Sequence, residues 1–303
     1  MTFSEPTKPA SPLRAYLLLT GTAVCWAANA VFSRMAVGEV SPMMLVTLRW
    51  SGVIILISVF ANKYIRQDWP VLKNHLPFMF AMGGLGFALF NGLFYISGHF
   101  TKAVNIGILQ GSIPVFVLIG TYLAYRAPTT ALQGFGVFVT LLGVVIVTLG
   151  GHGTDLSSLA VNFGDMLMLA ACILYAGYTV ALRNRPPSSA LGLFTVIAIA
   201  AFLTSLPMLA VEYALGYTLW PTPKGWMVAA LATVFPSFLA QLWFIHGVEK
   251  IGPGRAGIFV NLVPVFTAIL GVGILSEPFG IFHASALALV LGGIWLSEKA
   301  KPQ

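Results

Sequence analysis

Residues 107–116 read GILQGSIPVF, and residues 257–266 read GIFVNLVPVF. The two stretches lie 150 positions apart, and at that shift residues 94–143 align without a gap to 244–293. Phe94 meets Phe244, Gly107-Ile108 meets Gly257-Ile258, and Pro114-Val115-Phe116 meets Pro264-Val265-Phe266. Farther along, Ile119 meets Ile269, Pro128 meets Pro278, Leu141 meets Leu291 and Gly143 meets Gly293. Nearer the start of each copy the shift becomes 149, pairing Leu18 with Leu167, Ala27 with Ala176, Val31 with Val180 and Arg34 with Arg183. A single shared Gly or Pro carries little weight in apolar sequence, but an ungapped run in register does. The chain reads as one unit written twice, over 15–150 and 163–298, behind a disordered tail at 1–14 that holds Pro6, Pro9 and Pro12.

The composition says what kind of unit this is. Of 303 residues, 58% are hydrophobic and 8% charged, against about 25% charged in a soluble domain. Apolar blocks approach the roughly 20 residues that a helix needs to cross about 30 Å of hydrocarbon. They are continuously apolar rather than alternating, which excludes a β-barrel. Ten spans follow, at about 15–36, 43–61, 77–97, 103–124, 131–149, 163–182, 190–211, 226–247, 255–275 and 280–296. The two longest connections, around 62–76 and 212–225, each carry a Trp (Trp69, Trp220) as an interfacial anchor. The fold class is all-α and polytopic. Five spans per unit is an odd number, so the second unit enters the membrane from the opposite side. Inverted repeats of this kind are an architecture of transporters.

Charge placement sets the expected orientation. Lys8, Arg14, Lys63, Arg66, Lys73, Arg126, Arg183, Arg185, Lys250, Arg255, Lys299 and Lys301 all fall on the side of the N-terminus. Arg34, Lys102 and Lys224 fall on the other. The positive-inside rule then puts both termini in the cytoplasm, as expected for a bacterial inner membrane. The Ala28-Asn29-Ala30 tripeptide imitates a signal-peptidase site, but the apolar run continues to Val37, so a retained first helix is the simpler reading. The net charge of +7 forms no basic run or stripe, which argues against nucleic acid. Partners are a small-molecule substrate and the lipid bilayer.

Polar and aromatic residues deep in the spans are the candidate substrate contacts. Asn91 and Gln241 are paired at the repeat shift; Gln110 and Asn261 lie in the other repeated pair, one position out of register. Four amides near the midplane could bond a zwitterion's ammonium and carboxylate, or could serve as interhelical glue. Trp26 pairs with Tyr175, Tyr178 shares the face of Tyr175, and Tyr95 and Trp243 fall in the repeated third and eighth spans. Aromatic walls and a few amides suit a flat apolar side chain on a polar head; the alternative is an interfacial belt. Pro114 and Pro264, mid-span, are expected to kink their helices and offer hinges. Arg49 lies about two turns into the second span, where it either snorkels outward or meets a substrate carboxylate or a helix C-terminus.

No Asp or Glu is central to any span, which favours gradient-driven export over proton coupling. There is no His-x₃-His, Cys-x₂-Cys, Walker or dinucleotide fingerprint, so no cofactor or metal is expected and an enzyme is disfavoured. Cys25 and Cys172 read as packing residues. A channel remains an alternative from another class.

Trp26 through Arg34, the Gly-x₆-Pro pattern at Gly107–Pro114 and Gly257–Pro264, and the Ser276-Glu277-Pro278 turn carry a family resemblance. With the topology, they resemble the EamA branch of the drug/metabolite transporter superfamily over about 15–298. One departure is Arg126-Ala127-Pro128, where that family often places an acidic residue. Within the branch the sequence is most similar to bacterial amino-acid exporters of the YddG type. The resemblance implies export of aromatic and other neutral amino acids by alternating access, with lipophilic or cationic drugs as the alternative cargo.

Overall fold

In the computed structural model, residues 12–149 and 162–299 are described. Residues 1–11 of the expected tail lie outside them; residues 12–14 are already helix, which corrects the tail's boundary. Among the described residues every regular element is helical, and ten helices are long and apolar enough to cross a membrane. The first half contains α1 (Pro12–Met35), α2 (Pro42–Leu72), α3 (Leu76–Gly83), α4 (Phe90–Ser97), α5 (Ala103–Gln110), α6 (Ile113–Tyr125) and α7 (Ala131–Leu149). The second contains α8 (Phe163–Ala181), α9 (Ala190–Ala214), α10 (Pro223–Ala232), α11 (Ala240–Ile251), α12 (Pro253–Val260), α13 (Val263–Leu275) and α14 (Ile281–Lys299). The long connection expected around 62–76 is instead helical: α2 continues to Leu72 and a single 3₁₀ turn leads into α3.

The repeat is written into the helix boundaries. From α5 to α7 every bound recurs 150 residues later in α12 to α14. Third and eighth spans are each interrupted by π-helical turns, at Gly84–Leu89 and Thr233–Leu239. The fourth and ninth spans each break in two, at Gly111-Ser112 and Asn261-Leu262. The prolines explain the breaks. Pro114 and Pro264 have no N–H, and their rings clash with the carbonyl four residues back, which favours a break before them. It resumes with proline in its first turn, where the missing donor costs nothing. The break therefore precedes each proline, in place of the expected mid-helix kink. Arg126 and Ser276 sit at equivalent positions and share a left-handed φ of 51° and 53°. Each ends its helix two residues before Pro128 or Pro278.

Packing crosses between the halves about a pseudo-two-fold. α1 packs on α11 and α13, and its counterpart α8 packs on α4 and α6. α2 pairs with α9, and α7 with α14. The α2–α9 pair is clasped at both ends by carboxylates that satisfy helix N-termini. Asp68 accepts from the Ser189 backbone N–H at 3.0 Å. Glu212 accepts from Ser41 Oγ at 2.6 Å and the Met43 N–H at 3.0 Å. In α7–α14 small residues let the backbones meet: a Cβ on Gly293 would lie 2.5 Å from the Gly136 carbonyl oxygen.

One pair breaks the symmetry. α5 packs tightly on α13, so that a Cβ on Gly107 would lie 2.4 Å from Thr267 Cβ. The equivalent helices α12 and α6 are parted, and a Cβ on Gly257 would meet nothing within 4 Å. The bundle is closed at one end and open at the other.

Candidate functional site

The opening between α6 and α12 leads into the centre of the bundle. Its vestibule, about 460 Å³, lies between Thr121, Leu182, Gly257 and Glu298. It is within the size range of ligand sites, roughly 300–1,000 Å³. Adjoining it is a smaller chamber of about 110 Å³. Trp26, Tyr175, Gln241 and Asn261 line both.

Of the sequence-predicted contacts, Trp26, Asn91, Gln110, Tyr175, Gln241 and Asn261 face the chamber, as do Pro114 and Pro264. Tyr178 lines the vestibule. The two helix breaks bring Gln110 and Asn261 here, because each amide sits at the end of a half-helix that stops in mid-bundle. The π-turns do the same for Asn91 and Gln241, each on the helix that resumes after its π-turn. Tyr95 and Trp243 do not reach the chamber. Tyr95 is 1% exposed, and its hydroxyl meets Arg49 at 2.6 Å and Asn29 at 3.0 Å. Trp243 instead covers Gly21 on α1.

Residues not singled out in the sequence also contribute: Asn29, Trp50 and Ser237 in the chamber, and Glu298 in the vestibule. Asn29 was within reach of the sequence, standing one helical turn from Trp26 on the same face. Glu298 lies beyond the expected last span, and α14 carries it inward, 3.5 Å from the Asn261 amide. Arg49 does not snorkel; it is 6% exposed and lines the chamber.

The walls are aromatic. Phe90 and Tyr175 rings are 5.0 Å apart, Tyr175 and Tyr178 5.4 Å, and Trp50 stacks on Phe87 at 4.8 Å. Trp26 is fixed by donating to the Pro236 carbonyl at 3.2 Å within the second π-turn. The chemistry is that of a greasy slot with a few polar groups. Asn91→Leu and Gln241→Leu are each expected to cut flux severalfold with membrane insertion unchanged, measured as initial rates in vesicles normalised to inserted protein.

The closed end is held by ionic groups. Glu277 accepts from the Ala103 and Val104 N–H groups at 2.9 and 3.0 Å, capping α5, and pairs with Arg34 at 3.6 Å. Arg34 also donates to the Gly98 carbonyl. Asp165, 1% exposed, accepts from Thr101. On the exposed turn after α1, hydrogen bonds from Thr222 and then Lys224 hold the Glu39 carboxyl below its ordinary 4.5. That clasp adds to stability above the ordinary carboxylate range and is lost as pH falls through the lowered value. At the open end Ala127 stands in the turn that matches Glu277, so that position offers no carboxylate.

A sequence model of the EamA-like transporter family matches residues 13–149 and again 162–298. The uncharacterized transporter YetK of Bacillus subtilis is 27% identical over 95% of this chain and 88% of its own length. The uncharacterized transporter YyaM of the same organism is 25% identical over 93% and 92%. A solved crystal structure superposes with a TM-score of 0.63 over 93% of this chain and 95% of that one; at 17% identity this likeness speaks to the fold.

Proposed function

The chain belongs to the EamA-like transporter family and is a multi-pass membrane transporter, and from that premise we propose that it exports neutral amino acids, aromatic ones foremost. The reading rests on the chamber: amides from both halves converge among aromatic rings, at the point where four spans are broken or π-wound. Such a slot offers an apolar side chain its walls and a zwitterionic head its hydrogen bonds.

The route is alternating access. α5–α13 and α12–α6 are the same interface in the two halves, and here one is shut while the other is parted. Closing α6 on α12 and opening α5 from α13 would turn the chamber to the other side, because the two interfaces are built by equivalent helices of the repeat. With the chain ends on the cytoplasmic side of an inner membrane, as the charge bias indicates, the state seen here is the loading state for export.

Counterflow in proteoliposomes tests the cargo. Vesicles loaded with unlabelled phenylalanine and diluted into labelled phenylalanine, without a pH gradient, are expected to accumulate label. Failure with all twenty amino acids would exclude this cargo and turn attention to lipophilic cations.

A further inference from the structure

Arg49 is buried in the bundle, and among the described residues it has no counter-charge. Its Nη1 makes three bonds, to Tyr95 Oη at 2.6 Å, Asn91 Oδ1 at 2.7 Å and Asn29 Oδ1 at 3.2 Å. All three partners are neutral. Among the described residues the ion pairs within 4.0 Å are Arg34–Glu277 and Lys224–Glu39, and neither involves Arg49. Its buried Nε has no partner at all, and only Nη1 is engaged among the described residues. The three neutral oxygens thus hold one corner of the guanidinium and leave the Nε–Nη2 edge unused. That edge is the planar fork that receives a carboxylate with two parallel bonds.

Two further orphans line the same chamber. Trp50, next in sequence and 3% exposed, has an indole N–H without an acceptor. Gln110 has a buried Oε1 without a donor. Native proteins satisfy almost all buried polar atoms. Among the described residues, half of the six unsatisfied buried side-chain atoms gather at one small cavity: two donors, one of them on a positive charge, and one acceptor. This is the complement of a zwitterion, an anionic acceptor joined to a cationic donor.

We propose that Arg49 is the carboxylate receptor of the transport site. The substrate's carboxylate takes the Nε–Nη2 edge with Trp50 Nε1 as an additional donor, and its ammonium donates to Gln110 Oε1. The side chain then lies against Trp26, Phe90 and Tyr175. The assignment rests on the amino-acid reading for the ammonium half; the carboxylate half stands on Arg49 alone. A decarboxylated amine or a carboxamide would leave the guanidinium charge without its partner and should be discriminated against strongly.

The test separates the two. Quenching of tryptophan fluorescence by 3-phenylpropionate, which has a carboxylate and no ammonium, reads Arg49 directly in the purified wild-type chain. Phenylalanine exchange, competed by phenethylamine and by phenylalaninamide, reads the whole site. Phenylpropionate should bind, and each carboxylate-lacking competitor should be about tenfold to a hundredfold weaker than phenylalanine, the size of a lost charge-assisted pair. Arg49→Lys, which keeps the charge but not the fork, should weaken phenylpropionate about tenfold, and Trp50→Phe by less. Phenylalanine exchange with phenethylamine competing equally, or with no phenylpropionate binding, would overturn the assignment and leave the cargo intact. Phenylpropionate binding without exchange of any amino acid would overturn the cargo and leave Arg49 as an anion receptor. The ligand series needs no mutant, so it stands even if Arg49 variants fold poorly.

Discussion

Gly257→Leu is expected to abolish flux while leaving the chain as stable in detergent as the parent. In the state described, a Cβ at this position meets nothing within 4 Å, so the fold leaves room there for a side chain to start. The cost falls on the other state. When α12 closes on α6, the repeat places Gly257 against Val117, as Gly107 now lies against Thr267. A leucine would hold the helices apart, because a filled interface yields only at about 1–3 kcal/mol or more. Gly107→Leu is the control with the opposite signature: it strikes the interface already closed, so it should lower the unfolding temperature as well as stop transport. Unfolding midpoints and vesicle flux, taken on both variants, check the pair. Normal flux in Gly257→Leu would mean that α6 and α12 do not close in the cycle.

The second large effect is at the sealed end. Glu277→Ala removes the cap from two buried backbone N–H groups of α5, worth about 1–3 kcal/mol when orphaned. The Arg34 pair adds little, since that side chain is a third exposed and solvent screens it. Because the clasp exists only while this end is shut, its loss should favour the opposite state by about tenfold or more. Ser97 lies at this end and is 0% exposed. A cysteine placed there should resist a membrane-impermeant maleimide in the parent and react in the Glu277→Ala background. Equal protection in both would show that the clasp does not govern the seal.

The repeat was legible because glycine and proline recur at fixed register, and the same residues stop the helices: Pro114 and Pro264 locate the breaks to within a few positions. Gln110, Asn261, Asn91 and Gln241 were legible because polar atoms in hydrocarbon are costly and need a reason. Tyr95 was misplaced because an aromatic near a helix end looks alike whether it borders a cavity or braces an arginine. The π-turns were invisible, since no residue pattern separates them from an α-helix; Pro236, inside one, marks only half of the pair. The open and closed ends could not be read at all. Gly107-Ile108 and Gly257-Ile258 are the same dipeptide, and only contact between helices distinguishes Gly107 from Gly257.

In the proposed cycle, substrate passes through the chamber between the halves. Thr121 lines its vestibule, and the native cysteines, Cys25 and Cys172, are buried. Thr121→Cys should therefore be alkylated selectively by a permeant maleimide. Alkylation is expected to stop phenylalanine counterflow, and excess phenylalanine to slow the alkylation. Complete alkylation with counterflow unchanged would place the route elsewhere.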